Sequence, residues 1–428
     1  MTPHHSNLLI KKVRIADSES KFNNQRTDVV IENGIYSRIG KDLQIEEDLL
    51  VIDGENLTLL PGVFDFQVNC GEPGEEENET FETLSAAALN GGVTGLLVMP
   101  SSVPSTDNRG QLEFKNKLCK QLAPDFRFAG FITRKGEGKT LSELHDMRNG
   151  GALAFTDNKL PSDHSLLIHL AIQYNSISGG LLLFHAEDSG LSMGGIMHES
   201  EISVRLGMKG APSLAEETAV NKLLALAEYH NHPIFISGVS CEGSVNQIKK
   251  AKKSGIPVSC SAYIQNLYFC DEDLLDFDSV FKVWPPLRSK NDRQALIEAS
   301  IDGTIDVLCS DHTPLNEEKK ELEFAYASYG MAGTETLLQA GLSVLGEANL
   351  SRLVNLMCHM PRQLLGLNTC PVHEGGTADF VLVDTQAETT LLKEELKSKG
   401  VNNPYKGKSL KGKILGTYTS ANWFLRSV

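Results

Sequence analysis

The chain has 428 residues, 41% of them hydrophobic, which is enough to bury a large core. Its formal net charge is −15 and its isoelectric point is near 5.3, with no basic stripe to offset the acidic excess. We therefore expect neither nucleic acid nor an anionic membrane as a partner, because both attract basic surfaces.

The cysteine pattern and the amino terminus indicate the compartment. The eight cysteines contain no CxxC pair and no regular spacing, as expected for reduced thiols in the cytosol. The first seven residues, MTPHHSN, have no basic region followed by an apolar run, so no signal peptide is expected. No stretch approaches the roughly 18 apolar residues of a membrane-spanning helix. We predict a cytoplasmic protein.

Short β segments dominate both ends of the chain. Turn signals such as Asn33-Gly34 separate apolar segments between residues 7 and 60, which is typical of hairpins in a small sheet. A similar pattern of short β segments occurs near the carboxyl end. The segments are Leu8–Ile10, Val13–Ile15, Asp28–Ile31, Ile35–Ile39, Leu50–Ile52, Ala378–Asp384 and Gly412–Tyr418. We predict a small β-sandwich domain assembled from residues 1–60 and 369–428.

Between these ends, apolar runs alternate with amphipathic stretches. Near-continuous apolar strands separated by helices predict a parallel sheet that is buried on both faces. Eight such units predict a (β/α)8 barrel over residues 61–368. The eight runs are Val63–Asn69, Thr94–Met99, Phe126–Ile132, Ala152–Thr156, Leu181–His185, Pro233–Gly238, Pro257–Ala262 and Ile305–Ser310. Helical patterns include 80–89, 141–147, 165–173, 215–229, 244–253 and 293–301.

The first barrel strand carries two amides at its carboxyl end. In the stretch PGVFDFQVNCGEPG, which begins at Pro61, the side chains of Gln67 and Asn69 share one side of the strand. That strand end opens onto the barrel mouth, where enzymes of this architecture keep their reactive groups. A pair of metal ligands would suit this spacing, but both side chains are neutral.

This stretch resembles the first-strand motif of the dihydroorotases, which are cyclic amidohydrolases. The family pattern is Pro-Gly-x-x-Asp-x-His-x-His-x-Arg-x-Pro-Gly. The flanking prolines and glycines and Asp65 match it, whereas Gln67, Asn69 and Gly71 replace the two histidines and the arginine. The resemblance implies a family framework that has lost these metal-binding and substrate-binding groups.

Three positions keep a side chain that the resemblance assigns to metal binding. Asp157, in Ala-Phe-Thr-Asp, matches a bridging aspartate, although an aspartate that caps the loop is the favoured interpretation from the residues alone. His185 matches a ligand histidine, and Asp311 matches the catalytic carboxylate that also binds metal.

Other family positions have changed as well. Gly238 stands where a ligand histidine is expected. Ser101, Trp284 and Leu315 replace residues that the resemblance assigns to substrate contacts. Hydrolysis in this family requires a metal-bound hydroxide, and an aspartate alone cannot lower the pKa of water from about 15.7 to around 7. We predict no cofactor, with one weakly bound zinc at Asp157, His185 and Asp311 as the alternative.

Three functional hypotheses follow. The leading one is a dihydroorotase-family protein of pyrimidine biosynthesis that is catalytically impaired, forms a homo-oligomer and serves as a structural partner of aspartate carbamoyltransferase; some bacterial carbamoyltransferases assemble with such a homologue. The second is an active zinc-dependent dihydroorotase that uses a rearranged or single-metal site, with Asp311 as catalytic residue. The third is a metal-free protein that binds another small molecule in a mouth lined by Trp284, Tyr263 and Cys70.

Overall fold

The computed structural model describes residues 7–44 and 49–426. Five strands precede the barrel and three follow it, and all eight belong to one mixed sheet. They are β1 (Leu8–Ile15), β2 (Arg26–Glu32), β3 (Ile35–Gly40), β4 (Leu50–Asp53), β5 (Thr58–Pro61), β16 (Phe380–Thr390), β17 (Ser409–Thr419) and β18 (Asn422–Leu425). Their order across the sheet is β18-β17-β16-β5-β1-β2-β3, with β4 paired to β1. The domain built from both termini, predicted as a small β-sandwich, is confirmed as a separate β-rich domain whose eight strands belong to one sheet.

This sheet has its own core. Antiparallel pairing of β16 with β5 joins the two chain ends. The rings of Phe380 and Tyr418 stack at 5.2 Å between centroids, and Trp423 lies 6.1 Å from the same phenylalanine ring. These aromatic side chains are buried with aliphatic residues of β1 and β2, so the domain does not depend on the barrel for its hydrophobic centre.

Eight parallel strands form the predicted barrel, in the order in which they occur along the chain. A bridge between Val68 and His312 brings the first strand next to the last. The strands are β6 (Val63–Val68), β7 (Val93–Val98), β8 (Asp125–Gly130), β9 (Ala154–Thr156), β10 (Leu181–His185), β13 (Ile234–Ser237), β14 (Val258–Tyr263) and β15 (Val307–Cys309). All eight predicted strands are confirmed, with small differences at their ends.

The apolar runs form strands because both of their faces are buried. Every residue of β6 and β7 is buried. Phe66 and Phe235 meet inside the barrel, with ring centroids 4.9 Å apart. The opposite faces of the strands pack against the surrounding helices. This two-sided burial is the reason that the sequence reads as apolar runs rather than as an alternating pattern.

The helices lie on the outside of the barrel and in the loops at its mouth. They are α1 (Phe81–Asn90), α2 (Arg109–Cys119), α3 (Leu144–Asn149), α4 (Ser165–Ser178), α5 (Ser189–Ser192), α6 (Glu201–Leu206), α7 (Ser213–His230), α8 (Glu242–Lys253), α9 (Ile264–Tyr268), α10 (Lys290–Asp302), α11 (Glu317–Lys320), α12 (Leu337–Leu345), α13 (Leu350–Val354) and α14 (Met360–Leu364). A two-residue ribbon, β11 (Met197–His198) with β12 (Gly210–Ala211), precedes α7.

Side-chain caps explain where several of these helices begin. Thr80 accepts a hydrogen bond from the Thr83 amide at the start of α1, and Ser289 does the same for Asp292 at the start of α10. Each cap satisfies a backbone N–H that has no partner within the helix. Within the described ranges, no helix is both long enough and apolar enough to cross a lipid bilayer.

Candidate functional site

The residues singled out in the sequence lie at the carboxyl ends of the barrel strands. A cavity of about 250 Å³ opens there. Its lining comprises Asn69, Cys70, Gly71, Glu75, Asn78, Ser101, Asn158, Lys159, Thr313, Pro314, Leu315 and Tyr329. Of the three residues predicted to give this mouth an apolar lining, Cys70 is in this set, whereas Tyr263 and Trp284 are not.

Gln67 points into the barrel and uses its amide there. Its Nε2 donates to the hydroxyl of Tyr263 at 3.2 Å, and its Oε1 accepts from the hydroxyl of Ser261 at 3.0 Å. The side chain is only 3% exposed. The amide therefore contributes to the packing of β6 against β14.

Asn69 belongs to a separate network at the mouth. Its Nδ2 donates to Thr313 Oγ1 at 2.9 Å, and its Oδ1 accepts from Asn158 Nδ2 at 3.1 Å. The same Asn158 amide also donates to Ser101 Oγ at 2.8 Å. Two of the altered family positions, Asn69 and Ser101, are thus linked by an asparagine that the sequence analysis did not single out.

Lys159 provides the positive charge at this mouth. Its Nζ lies 2.5 Å from the Asp311 carboxylate and 2.5 Å from the backbone oxygen of Trp284, and 5.2 Å from the ring centroid of Tyr263. Asp311 is 2% exposed, so the ammonium is its counterion in a poorly solvated place. Sequence analysis missed Lys159, although its position two residues after Asp157, in a loop that follows a barrel strand, was an available signal.

The charge of Asp311 depends on this contact. Burial raises the pKa of its carboxyl to about 6, while the adjacent Lys159 ammonium acts in the opposite direction. The backbone at Asp311 has a φ of 51°, a left-handed conformation that L residues seldom adopt. Both the backbone and the counterion therefore constrain this side chain.

Asp157 is directed to its own loop. Its two carboxylate oxygens accept from the backbone N–H of Thr133 at 2.8 Å and from the Thr133 hydroxyl at 2.9 Å. Burial raises the pKa of this carboxyl, and the bonds from Thr133 oppose the rise. The loop-capping interpretation of Asp157 is the one that these contacts support.

His185 pairs with a carboxylate that the sequence analysis did not assign. Its Nε2 lies 3.3 Å from Glu187 Oε2, which also accepts from the indole N–H of Trp284 at 2.7 Å. The other ring nitrogen, Nδ1, is buried without a hydrogen-bond partner. Burial opposes ionisation of Glu187, yet the bonds that His185, Ser192 and Trp284 donate hold its pKa below the usual range.

Two glycines mark positions where the family side chain no longer fits. A Cβ on Gly238 would lie 2.5 Å from two ring carbons of Tyr263, and the φ of +65° adds backbone strain. A Cβ on Gly71 would lie 2.0 Å from the backbone oxygen of Glu75. The Tyr263 ring and the loop that contains Glu75 occupy the space that a histidine and an arginine would need.

Leu315, the last of the altered positions, is also integrated into the scaffold, as is His312. The Leu315 N–H donates to Asn402 Oδ1 at 3.0 Å, and its side chain is buried. The imidazole of His312, next to Asp311, is fully buried and accepts from the Gly333 N–H at 3.1 Å. Its Nε2 lies 3.4 Å from Glu79, so His312 does not supply a missing ligand.

The donor set does not fit the metal centre that the family implies. Asp157 is bonded to Thr133, His185 to Glu187 and Asp311 to Lys159. Throughout residues 7–44 and 49–426, no group of three or more His, Cys, Asp or Glu side chains is arranged to hold a metal ion. The Lys159 ammonium lies against the Asp311 carboxylate, in the position where a metal ion would bind.

Comparisons with solved structures define the fold class. The L-hydantoinase (dihydropyrimidinase) from Arthrobacter aurescens is 24% identical, with a TM-score of 0.86, and the match covers 99% of this chain and 97% of that chain. The dihydropyrimidinase from Brevibacillus agri NCHU1002 is 21% identical, with a TM-score of 0.82 and coverage of 98% and 95%. The fold is therefore the amidohydrolase-type barrel with a separate β-rich domain.

Sequence comparisons then identify the family within this class. The model of the dihydro-orotase-like family matches residues 57–244. A dihydroorotase from Acetivibrio thermocellus is 35% identical over 424 residues, covering 98% of this chain and 99% of the relative. A dihydroorotase from Syntrophus aciditrophicus is 35% identical over 414 residues, covering 96% and 97%. This chain belongs to the dihydroorotase family.

Proposed function

We propose that this chain is a non-catalytic member of the dihydroorotase family that acts in pyrimidine biosynthesis as a structural partner of aspartate carbamoyltransferase. The observation that carries the proposal is the ion pair between Lys159 and Asp311 at the barrel mouth. It joins the one retained catalytic position to an internal cation, so the carboxylate has no free role as a base.

The chemistry of ring opening supports this proposal. Attack on a cyclic amide at neutral pH needs an activated water, and a protein-bound metal ion is the group that supplies it in this class. The side chains of Gln67 and Asn69 are committed to hydrogen bonds within the protein. Neither amide offers the imidazole nitrogen that a zinc site prefers.

The positions that the resemblance assigns to substrate contacts also support a non-catalytic role. The position that the resemblance gives to an arginine is Gly71, which has no space for a Cβ. Ser101 lacks the side-chain amide that the family has at this position, and its hydroxyl accepts a hydrogen bond from Asn158. The indole N–H of Trp284 is taken by Glu187. A carboxylate-bearing substrate therefore loses the contacts that the family pattern would provide.

The intact scaffold supports a structural role. The barrel, its helices and the β-rich domain are complete over the described residues, and burial is continuous from strand to strand. A chain that keeps its architecture while the polar side chains of its mouth bond to one another suits a partner in an assembly. Aspartate carbamoyltransferase is the partner that the family resemblance implies.

Metal content and turnover test the loss of catalysis. The purified chain should hold less than one zinc ion per molecule after dialysis against zinc, and it should neither open nor close the dihydroorotate ring. The dihydroorotase from Acetivibrio thermocellus, prepared in parallel, is the positive control. Tightly held zinc together with turnover comparable to that control would support the active, zinc-dependent alternative and overturn the proposal.

Co-expression tests the partnership. The chain and the aspartate carbamoyltransferase of the same organism should elute together from a sizing column, at a mass above that of either protein alone. Carbamoyltransferase activity in that fraction should be more resistant to heating than activity of the enzyme alone, because binding stabilises the folded state. Separate elution at micromolar concentrations of both proteins would rule out the partnership without affecting the conclusion on catalysis.

A further inference from the structure

Two imidazoles meet on the outside of the barrel, where helix α4 lies next to the end of helix α7. His169 Nδ1, on α4, is 3.0 Å from Nε2 of His230, the last residue of α7. Both side chains are partly exposed. His230 comes just before β13, so the pair lies towards the amino end of that strand, whereas the mouth is at the carboxyl ends. This contact is therefore separate from the site described above.

The pair differs from the buried histidines of the chain. His185, His312 and His359 each lie within 3.4 Å of a carboxylate. His169 and His230 contact each other instead, and α4 contains no Asp or Glu that could pair with either ring. Neutral imidazole is the form that binds metal ions, so two such rings in contact can offer two nitrogen ligands.

The hydrogen bond between the two rings is bent. Their centroids are 4.7 Å apart and their planes are inclined by 50°, whereas two imidazoles that met head-on across 3.0 Å would have more distant centroids. A hydrogen bond weakens steeply as it departs from a straight line. One ring donates its N–H in this contact, and the proton can move to the other nitrogen of the same ring. Both facing nitrogens then carry a lone pair, with no change in the charge of the rings.

The distance between the two nitrogens indicates which metal fits. At a separation of 3.0 Å, an ion bonded to both at about 2.0 to 2.1 Å would hold them at an angle of about 91 to 97°. Tetrahedral zinc needs an angle of about 109°, whereas the tetragonal coordination of Cu²⁺ and Ni²⁺ uses about 90°. Copper also binds a given set of nitrogen ligands more tightly than nickel or zinc does. The geometry therefore favours Cu²⁺, followed by Ni²⁺.

Tyr229 packs against both imidazoles. Its ring centroid lies 5.1 Å from that of His230, in an edge-on contact, and 6.2 Å from that of His169. Neighbours that restrict the orientation of a ligand ring strengthen metal binding. Over residues 7–44 and 49–426, no set of three His, Cys, Asp or Glu ligands includes this pair, so water would take the other positions. The net charge of −15 attracts cations to the molecule.

We propose that His169 and His230 bind a divalent cation of the copper and nickel class, which joins α4 to α7 on the outside of the barrel. On binding, the ion exchanges two of its water ligands for the two ring nitrogens and keeps the remaining waters. The inference concerns only this pair of histidines, and it does not depend on whether the mouth is catalytic.

Copper titration by calorimetry tests the site. His4 and His5 can bind copper themselves, so every chain carries His4→Gln and His5→Gln. This background chain should bind one Cu²⁺, and His169→Gln or His230→Gln should each weaken that binding at least about tenfold. His145→Gln is the matched control, because it removes an exposed histidine from another helix, α3. Unchanged affinity in the first two variants, or an equal loss in the control, would overturn the proposal.

Spectroscopy and thermal unfolding test the two-nitrogen geometry. With less than one Cu²⁺ per chain, the electron paramagnetic resonance spectrum should show coupling to two imidazole nitrogens. Ni²⁺ at about 100 times its dissociation constant should raise the melting temperature of the background chain by on the order of 3 °C. It should leave the combined variant of His169→Gln and His230→Gln unchanged. Coupling to a single nitrogen, or an equal rise in the combined variant, would contradict the proposal.

Discussion

Lys159 and Asp311 determine how charge is distributed at the barrel mouth. The carboxylate is almost completely shielded from water, and its counterion comes from a loop 152 residues earlier in the chain. A buried charge with a hydrogen-bonded partner is tolerable, whereas one without a partner is costly. Lys159 therefore stabilises the ionised form of a carboxylate that burial disfavours.

We predict that Asp311 makes stability fall as pH rises through the weakly acidic range. Its pKa is about 6 in the folded protein and about 3.9 in an unfolded chain, so the folded state binds more protons between these values. Relative to Asp311→Asn, the wild type should lose on the order of 2 kcal/mol of unfolding free energy between pH 4 and pH 7. Urea titrations at several pH values measure this difference.

The control for this experiment is Asp276→Asn, which removes one negative charge at an exposed position. If the difference in unfolding free energy between the wild type and Asp311→Asn does not change with pH, Asp311 is not a buried carboxyl of raised pKa. The comparison uses a difference between two proteins, so the titration of the other acidic groups cancels.

At the scale of the elements, residues at the ends of β13 and β14 fill the space that the family's ligand histidine at position 238 would need. Gly238 follows β13 and Tyr263 ends β14, and the tyrosine ring lies where a side chain at 238 would begin. The hydroxyl of Tyr263 accepts from Gln67 on β6. Two altered family positions are thus coupled through one aromatic residue, which packs the barrel interior instead of leaving a vacancy.

We predict that Gly238→Ala destabilises the protein more than Gly255→Ala. Both glycines have positive φ, +65° and +82°, so both substitutions carry a backbone cost of about 1 to 2 kcal/mol. The Cβ at 255 meets nothing within 4 Å, whereas the Cβ at 238 meets the Tyr263 ring at 2.5 Å. Overpacking should add about 1 to 3 kcal/mol at 238. Chemical denaturation of the two variants measures the excess.

An equal loss of stability in both variants would mean that the Tyr263 ring moves aside freely. In that case position 238 could accept a side chain again, and packing at the barrel mouth would not exclude a ligand residue there. A clearly larger loss of stability for Gly238→Ala than for Gly255→Ala would show that the packing around position 238 excludes a ligand side chain.

The elements themselves were largely predictable, because their signal is local. Apolar runs such as Leu181–His185 became strands with the expected bounds, since burial on both faces requires such runs. The changed side chains at 67, 69 and 238 were visible from the resemblance. The partners of those side chains were not, because Lys159 reaches Asp311 and Gln67 reaches Tyr263 only through the closed barrel.

At the scale of the whole molecule, Arg362 joins the barrel to the β-rich domain. This arginine, on α14, donates to the backbone oxygen of Gly62 at 2.8 Å and to Asp379 at 3.0 Å, just before β16. It also donates to the Thr94 hydroxyl at 3.0 Å, in β7. One guanidinium therefore contacts the start of two barrel strands and the returning carboxyl-terminal segment.

We predict that Arg362→Met lowers the free energy of unfolding by about 3 to 5 kcal/mol, because Asp379 is then buried without its counterion. Arg127→Met is the control: it removes an exposed pair with Asp125 at 2.9 Å, which is worth less than about 1 kcal/mol. Adding Asp379→Asn to Arg362→Met should recover part of the loss, since the uncompensated charge is removed.

Calorimetry should show one transition for the wild type and an earlier loss of the β-rich domain in Arg362→Met. A cost no larger than that of Arg127→Met would mean that apolar packing alone holds the domain to the barrel.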